Sequence, residues 1–170
     1  MEIRKTTAQD LPALMAIFDE ARGTIAALGI DQWQDGYPSL GVIEEDVARA
    51  RSYTVAIDGM PVGTFVLIDD GEPTYDCIED GHWLTGDKSQ DYVAIHRVAV
   101  SVSRRGSGVS TAILACAADH ARQMGRASLR IDTHEGNVVM RRMLEKHGFS
   151  CCGVIYLANG DPRVAYEKTV

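Results

Sequence analysis

The sequence lacks any long apolar run. It has no segment able to cross a bilayer, no internal repeat and no low-complexity tract. Its first ten residues, MEIRKTTAQD, are too polar for a signal peptide. We therefore expect a cytoplasmic protein with no membrane partner. At 170 residues it is long enough to bury a substantial core unaided, and we expect one domain, residues 1–170.

Basic residues are the scarcer charge. The chain has 17 lysines and arginines against 24 aspartates and glutamates, a formal net charge of −7 with histidine neutral. This balance disfavours a nucleic-acid partner, which requires a basic face. A cationic or neutral small substrate fits an acidic surface better.

Cysteines are few and lack metal-binding spacing. No C-x-x-C pair and no suitably spaced histidine set accompanies them, so we expect no metal site. Two of the four, Cys151 and Cys152, are adjacent in an expected strand, where their side chains should point to opposite faces. We interpret them as small packing residues in a reducing compartment, with a catalytic or redox role as the alternative.

Hydrophobic periodicity predicts alternating strands and helices, an α/β fold with a mixed sheet. Thr7 and Asp10 resemble a helix cap, and the following helix has one apolar face of Leu11, Leu14, Met15, Phe18, Ala21, Ile25 and Leu28. We expect further helices at 41–50, 109–124 and 137–147. The helix ending at Met124 has an apolar side of Val109, Ile113, Cys116, Ala117 and Met124. We expect strands at 2–5, 52–58, 62–69, 92–100, 128–133, 149–157 and 163–168.

Two segments lack periodicity. Residues 29–40 contain Trp33 and Tyr37, which we take as candidate substrate contacts, with a hydrophobic plug between helices as the alternative for Trp33. Residues 70–91 form a polar insertion with three ring-bearing side chains, longer than the usual connection. We expect a functional or mobile loop there, and a solvated loop by default.

The most informative stretch is Val98–Leu114, VAVSVSRRGSGVSTAIL, where a β-branched run gives way to Arg104-Arg105-Gly106-Ser107-Gly108 and then to a helical pattern. Glycines allow backbone N–H groups to turn toward a ligand, and a helix N-terminus attracts anions. The two arginines add donors and charge. The loop predicts either a phosphate site or plain turn chemistry. A strand, turn, helix and strand in this order predict two parallel strands.

These residues resemble the cofactor loop of the GCN5-related N-acetyltransferase (GNAT) superfamily, which reads Arg or Gln, two residues, Gly, one residue, then Gly or Ala. Here the stretch is Arg105-Gly106-Ser107-Gly108-Val109-Ser110, with serine last. A second family signature is Asn, a helix, then Gly-Phe, and here it is Asn137 followed by Gly148-Phe149. The chain is most similar to a bacterial acetyltransferase-like group of the superfamily.

The resemblance implies acetyl-CoA bound between two central parallel strands that splay apart. The backbone of Val98, Ala99 and Val100 would pair with the pantetheine arm. Amides from Gly106 through Ser107, Gly108 and Val109 to Ser110 would hold the pyrophosphate, beside Arg104 and Arg105. A backbone N–H near Val98 would stabilise the oxyanion, worth about 3 kcal/mol. Asn137 would contact the pantetheine arm, with a helix N-cap as a compatible alternative.

Catalytic candidates follow from the same comparison. Strand alternation places Tyr92, Ala94, His96, Val98 and Val100 on one face, so we take His96 as the first candidate base, with a histidine satisfied inside the sheet as the alternative. Many family members carry a tyrosine acid where this chain has Leu144, and Tyr156 is the candidate substitute, or else a buried core tyrosine. His134, beside Asp132 and Glu135, is a further candidate substrate contact.

We therefore predict an acetyl-CoA-dependent N-acetyltransferase that acts on an amine of a small molecule or peptide by direct attack in a ternary complex. An acyl-CoA sensor without transferase activity is the alternative. A nucleotide-binding regulatory protein fits poorly because the loop lacks the Gly-Lys-Ser/Thr ending of a P-loop. Whether the chain forms a homodimer is left open.

Overall fold

A computed structural model describes residues 1–170 as four helices and seven strands. Every predicted strand and helix is present, with bounds within two residues of those expected. None of the helices has the length and apolar character that crossing a membrane requires. The elements are β1 (Glu2–Lys5), α1 (Leu11–Ala27), α2 (Leu40–Ala48), β2 (Ser52–Ile57), β3 (Met60–Ile68), β4 (Tyr92–Val100), α3 (Val109–Gln123), β5 (Ser128–Thr133), α4 (Val138–Lys146), β6 (Ser150–Tyr156) and β7 (Pro162–Thr169).

The first of two compact units comprises Met1–Leu67 and His96–Cys116. Its strand order is β1-β2-β3-β4, with β1–β2 and β2–β3 antiparallel. Strand β4 contributes its second half to this unit. The predicted hairpin between β2 and β3 is confirmed, and it turns at Asp58-Gly59.

The core of the first unit lies where α1 and α2 pack against β4. Because the apolar residues of α1 recur every three or four positions, they form one buried face. Leu28 is an exception: it follows the last residue of α1 and is 41% exposed, so its expected burial was wrong. Met124, just past the end of α3, is likewise 49% exposed. The core cluster consists of Leu14, Ile17, Phe18, Ile43 and Ala99.

The second unit comprises Ile68–Ile95 and Ala117–Val170, with strand order β4-β5-β7-β6. Strands β4 and β5 are parallel, as the strand, turn, helix and strand pattern predicted, and their ladder joins Tyr92–Ala94 to Ser128–Arg130. Strand β7 pairs antiparallel with β5 and β6. The expected hairpin turn falls at Asn159-Gly160, with Gly160 at φ +88°. Of the two adjacent cysteines, Cys151 is exposed and Cys152 is buried. A register shift between Cys151 and Gly153 interrupts the alternation of β6, so the opposite orientation of the two side chains stays a prediction.

The insertion at 70–91 is packed within the second unit, so the expectation of a solvated loop was wrong for Tyr75 and Trp83. Tyr75 and Trp83 are each 1% exposed, because their rings pack on one another 5.3 Å apart. Glu79 forms an antiparallel bridge with Val154 of β6. A Cβ at Gly81 would lie 2.0 Å from a carbonyl oxygen of β6, so only glycine allows this approach.

A buried ion pair fastens this insertion to the sheet. Arg130 and Glu167 are both fully buried, with Arg130 Nε 3.0 Å from Glu167 Oε1. The Arg130 guanidinium lies 4.2 Å from the ring centres of Trp83 and of Tyr92. Arg130 also donates to the carbonyl of Gly86. Groups from both the sheet and the insertion therefore contact the two buried charges, which burial of a charge requires.

The Glu167 carboxylate is held in its charged form. Burial raises its pKa, but hydrogen bonds from Ser128 Oγ at 2.6 Å, Thr85 Oγ1 at 2.6 Å and Arg130 lower it by more. The net pKa of Glu167 lies below its ordinary value. Ionised Glu167 thus stabilises the fold above the ordinary glutamate pKa, and this stabilisation is lost as the pH falls through the lowered pKa.

Glu167→Gln is expected to lower the free energy of unfolding at pH 7 by about 3 kcal/mol, because Arg130 then lacks its counter-charge in a buried site. The difference from wild type should narrow as the pH falls below the ordinary glutamate pKa. Urea denaturation followed by circular dichroism from pH 7 to pH 3 measures both effects.

Glu44→Gln, at an exposed position of α2, is the matched control and should change stability little at any pH. A difference between Glu167→Gln and wild type that stays constant with pH would contradict the lowered pKa.

Candidate functional site

The turn between β4 and α3 presents backbone amides at a helix start. After a short 3₁₀ turn at Val102–Arg104, Gly106 and Gly108 take φ of +76° and +84°. This left-handed conformation strains other residues, so the structure accounts for both glycines. The first α-helical hydrogen bond runs from Ala112 N–H to the Gly108 carbonyl at 3.0 Å. The first amides of α3 therefore suit an anion, whereas Ser107 N–H in the preceding turn donates to the Arg104 carbonyl at 3.3 Å.

Helix α1 holds this turn in place. Glu20 Oε2 accepts from Val102 N–H at 2.8 Å and from Ser101 Oγ at 3.0 Å. Arg105 Nη2 donates to Thr24 Oγ1, one helical turn further along, at 2.8 Å. The loop is therefore organised in advance of any ligand, which limits the entropy lost on binding. Arg104 and Arg105 are both exposed.

Gly63 of β3 allows α3 to begin close to the sheet, a role the sequence reading missed. A Cβ there would lie 3.0 Å from Val109 Cγ1 and 3.2 Å from the Ala99 carbonyl oxygen. An isolated glycine inside a predicted strand is the available signal for such a close approach. Gly63 thus sets the distance between the first turn of α3 and the strand beside it.

The backbone of β4 reverses locally at Arg97, whose φ is +52°. A positive φ interrupts the alternation of a strand, so the single face expected from Tyr92 through His96 to Val98 is not continuous. The burial of β4 does not alternate either: Tyr92–Ile95 are all buried, and His96 is half-buried. Counting residues across Arg97 is therefore no longer sufficient to place His96 and Val98 on one face, and that placement stays a prediction.

The Arg97 side chain crosses to α2 and to the 29–40 segment. Its Nε lies 2.7 Å from Asp46 Oδ2, and its Nη2 donates to Asp46 Oδ1 at 2.7 Å. Its Nη1 donates to the Tyr37 hydroxyl. Arg22 of α1 donates to the carbonyls of Tyr37 and Pro38. These contacts give the aperiodic 29–40 segment a defined position.

Trp33 packs on the core of the first unit. Its ring meets Phe18 edge-on with centroids 5.9 Å apart and lies 6.3 Å from the ring of Tyr37. This packing is of the kind that the hydrophobic-plug alternative expects, with Trp33 partly buried against the core. A substrate contact by either aromatic residue stays a prediction.

The second unit holds three further candidates. Asn137 caps α4, its Oδ1 accepting from Met140 N–H at 3.2 Å, as its alternative interpretation expected. His134 Nδ1 accepts from Gly136 N–H at 3.0 Å, so a neutral His134 carries its proton on Nε2. Tyr156, the last residue of β6, is 44% exposed. The buried-core interpretation of Tyr156 was wrong because the strand ends there.

Two other positions bear on the chemistry. Leu144, where a family tyrosine was expected, is fully buried in the core. Tyr75 Oη donates to Asp132 Oδ1 at 2.8 Å. Burial raises the pKa of the Tyr75 hydroxyl well above its usual range, and the Asp132 carboxylate raises it further. Sequence reading missed this pair, because it joins residues 57 positions apart.

A strand that leads through an amide-presenting glycine turn into a helix, followed by a parallel strand, is the arrangement expected of an acyl-CoA N-acyltransferase. The acetyltransferase (GNAT) family model matches residues 12–149. The chain belongs to this family and is an N-acetyltransferase by class. No curated protein matches the sequence.

Solved structures agree with this assignment. A GNAT-family acetyltransferase from Streptococcus agalactiae is 34% identical, with a TM-score of 0.83 over 99% of this chain and 95% of its own. A ribosomal-protein-alanine N-acetyltransferase from Brucella melitensis is 19% identical, with a TM-score of 0.71 over the whole of both chains. Ard1 from Thermoplasma volcanium is 16% identical, with a TM-score of 0.72 over 99% of this chain and 97% of its own. The last two share the fold.

Gly63→Ala is expected to weaken CoA binding about tenfold, because overpacking against Val109 and the Ala99 carbonyl costs about 1–3 kcal/mol and displaces the first turn of α3. Isothermal titration calorimetry with CoA measures the loss. Gly23→Ala is the matched control, since a Cβ at Gly23 in α1 meets nothing within 4 Å. Equal CoA affinity in both variants would contradict the role of Gly63.

Proposed function

We propose that the protein transfers an acetyl group from acetyl-CoA to an amine of a small molecule or peptide by direct attack in a ternary complex. The observation that carries the proposal is the turn from β4 into α3, with its two left-handed glycines and its anchors on α1. That turn offers amides and arginine donors of the kind a pyrophosphate accepts.

The donor side would be held by backbone groups. Val98, Ala99 and Val100 would pair with the pantetheine arm as an added strand, in the manner of β-augmentation. Amides of the Gly106–Ser110 segment would bind the pyrophosphate, with Arg104 and Arg105 beside it. The conformation of the glycines and the close approach at Gly63 fit such a ligand, because they leave backbone rather than side chains facing it. Asn137 is assigned to the pantetheine arm by family resemblance alone.

The acceptor must lose a proton before it attacks. An amine of pKa about 10.4 is mostly charged at pH 7, and deprotonating it costs about 4.6 kcal/mol. Bound acetyl-CoA supplies an activated thioester. His96, half-buried on β4, is the proposed base because histidine is the side chain that most often acts as a general base in enzymes. The backbone N–H at or near Val98 would stabilise the oxyanion.

The departing thiolate needs less help. A thiol of pKa about 8.5 leaves readily near neutral pH, so the chain tolerates leucine at position 144. Tyr156, which is 44% exposed, is the proposed acid.

The acceptor is proposed to be a cationic or neutral amine. The net charge of −7 favours such a substrate over an acidic one. Trp33, Tyr37 and His134 are the proposed acceptor contacts. The Brucella melitensis protein acetylates a ribosomal-protein alanine by its name, so alanine-terminated peptides belong among the amines tested.

The function is tested by CoA release when acetyl-CoA is incubated with a panel of small amines and peptides. Amine-dependent CoA release is the expected result. Binding of acetyl-CoA without turnover across the panel would favour the sensor alternative, which the buried Leu144 at the family tyrosine position supports.

Gly108→Asp is expected to weaken CoA binding by at least tenfold, because it places a carboxylate where the pyrophosphate is proposed to bind and strains a φ of +84°. Gly108→Asn is the matched control, since asparagine has the same shape without charge and tolerates this conformation. Titration calorimetry with CoA should show the aspartate variant binding much more weakly than the asparagine variant. Equal losses would attribute the effect to strain alone.

His96→Ala is expected to lower turnover at least a hundredfold while changing acetyl-CoA affinity little, since the proposed base acts on the acceptor amine. Steady-state rates with the best amine of the panel, together with calorimetry, separate the two parameters. The loss should shrink at high pH, where more of the amine is already neutral. Undiminished turnover would exclude His96 as the base.

A further inference from the structure

Arg97 is unusual among the residues with left-handed backbone. Non-glycine residues in this conformation carry backbone strain and persist where the surroundings over-determine them. Arg97 alone of these lies inside a strand, and the others lie in turns or loops. The non-glycine residues with positive φ are Trp33, Ala50, Asp58, Asp80 and Arg97.

The Arg97 side chain makes contacts that could hold this conformation. Two of its nitrogens lie 2.7 Å from the two oxygens of Asp46, and a third donates to the Tyr37 hydroxyl. The side chains of Arg97 and Asp46 are 11% and 6% exposed. Because the planar guanidinium is held through three nitrogens, the direction in which the Arg97 side chain leaves the backbone is fixed.

The direction of the Arg97 side chain also affects Val98, the next residue of β4. A strand residue with positive φ turns the adjoining peptide groups away from the regular ladder. Val98, next along β4, is the residue whose N–H the proposed function assigns to the thioester carbonyl. The backbone conformation at Arg97 therefore influences the direction of the Val98 N–H. Such a donor has to be preorganised to stabilise the oxyanion effectively.

We propose that Arg97 is a positioning residue for acetyl transfer, whose contacts with Asp46 and Tyr37 hold the β4 backbone in the conformation that presents the Val98 N–H to the acetyl carbonyl. This role rests on the proposed function. The contacts with Asp46 and Tyr37 explain why a long cationic side chain occupies a left-handed position that glycine would take without strain.

Two double variants separate the backbone conformation from the ion pair. Both carry Asp46→Asn, so that no uncompensated buried carboxylate remains, and they differ only in Arg97→Gly or Arg97→Ala. Glycine populates positive φ freely, whereas alanine favours the regular strand. The loss of the arginine side chain, the change of charge and the loss of contacts with Tyr37 are the same in both.

The readout is the carbonyl ¹³C resonance of bound [1-¹³C]acetyl-CoA, which moves downfield when a donor polarises the carbonyl. Acetyl-CoA binding is confirmed first by calorimetry. Wild type and the glycine double variant are expected to show the downfield shift, and the alanine double variant a resonance close to that of free acetyl-CoA. Turnover with the best amine should be at least tenfold higher for the glycine than for the alanine double variant.

Arg97→Lys covers the case in which a double variant fails to fold. Lysine keeps the buried charge balanced but lacks the fork that binds Asp46 at two points. We expect a resonance between those of wild type and free acetyl-CoA. A wild-type resonance and wild-type turnover in Arg97→Lys would overturn the role, since charge alone would then suffice.

Two failures are distinguishable. If wild type binds acetyl-CoA and all variants show its carbonyl shift, the role of Arg97 is overturned while the proposed function stands. If wild type binds no acetyl-CoA, the proposed function fails and the role fails with it.

Discussion

The reversal of the chain between β4 and α3 is the constraint on which the site depends. A strand that ends in a helix running back toward a parallel neighbour requires a turn, and this one uses Gly106 and Gly108 in the left-handed region. The same turn exposes the first amides of α3 to an anion. Glu20 and Thr24 of α1 fasten it. The same turn thus reverses the chain and presents the amides of the candidate anion site.

Each unit also ties an aperiodic segment to its strands through a buried arginine. In the first unit Arg97 of β4 joins Asp46 of α2 and Tyr37 of the 29–40 segment. In the second, Arg130 of β5 joins Glu167 of β7 and lies against Trp83 of the insertion. Such pairs contribute less net stability than their distances imply, because both charges lose water. Their effect is to hold loops in one position.

Most of the fold could be predicted from the sequence, because hydrophobic periodicity and the glycine turns are local signals. Leu28 and Met124 were assigned to buried faces because periodicity carries no information about where a helix ends. Tyr156 was misjudged for the same reason at a strand end. The ion pairs of Arg97 and Arg130 join residues far apart in sequence, and the positive φ at Arg97 leaves no mark in the residue pattern. The turn at Arg104–Gly108 could be recognised as a candidate phosphate site because its glycines and arginines are contiguous in the sequence.

Amide hydrogen exchange with and without CoA tests the central claim most directly, since it requires no knowledge of the acceptor. The proposed site predicts that CoA slows exchange in peptides covering Val98–Val100 and Gly106–Ser110, where backbone amides would bind the ligand. The β2–β3 hairpin turn at Asp58-Gly59 should be unaffected. CoA binding that leaves both of these segments unchanged would contradict the account.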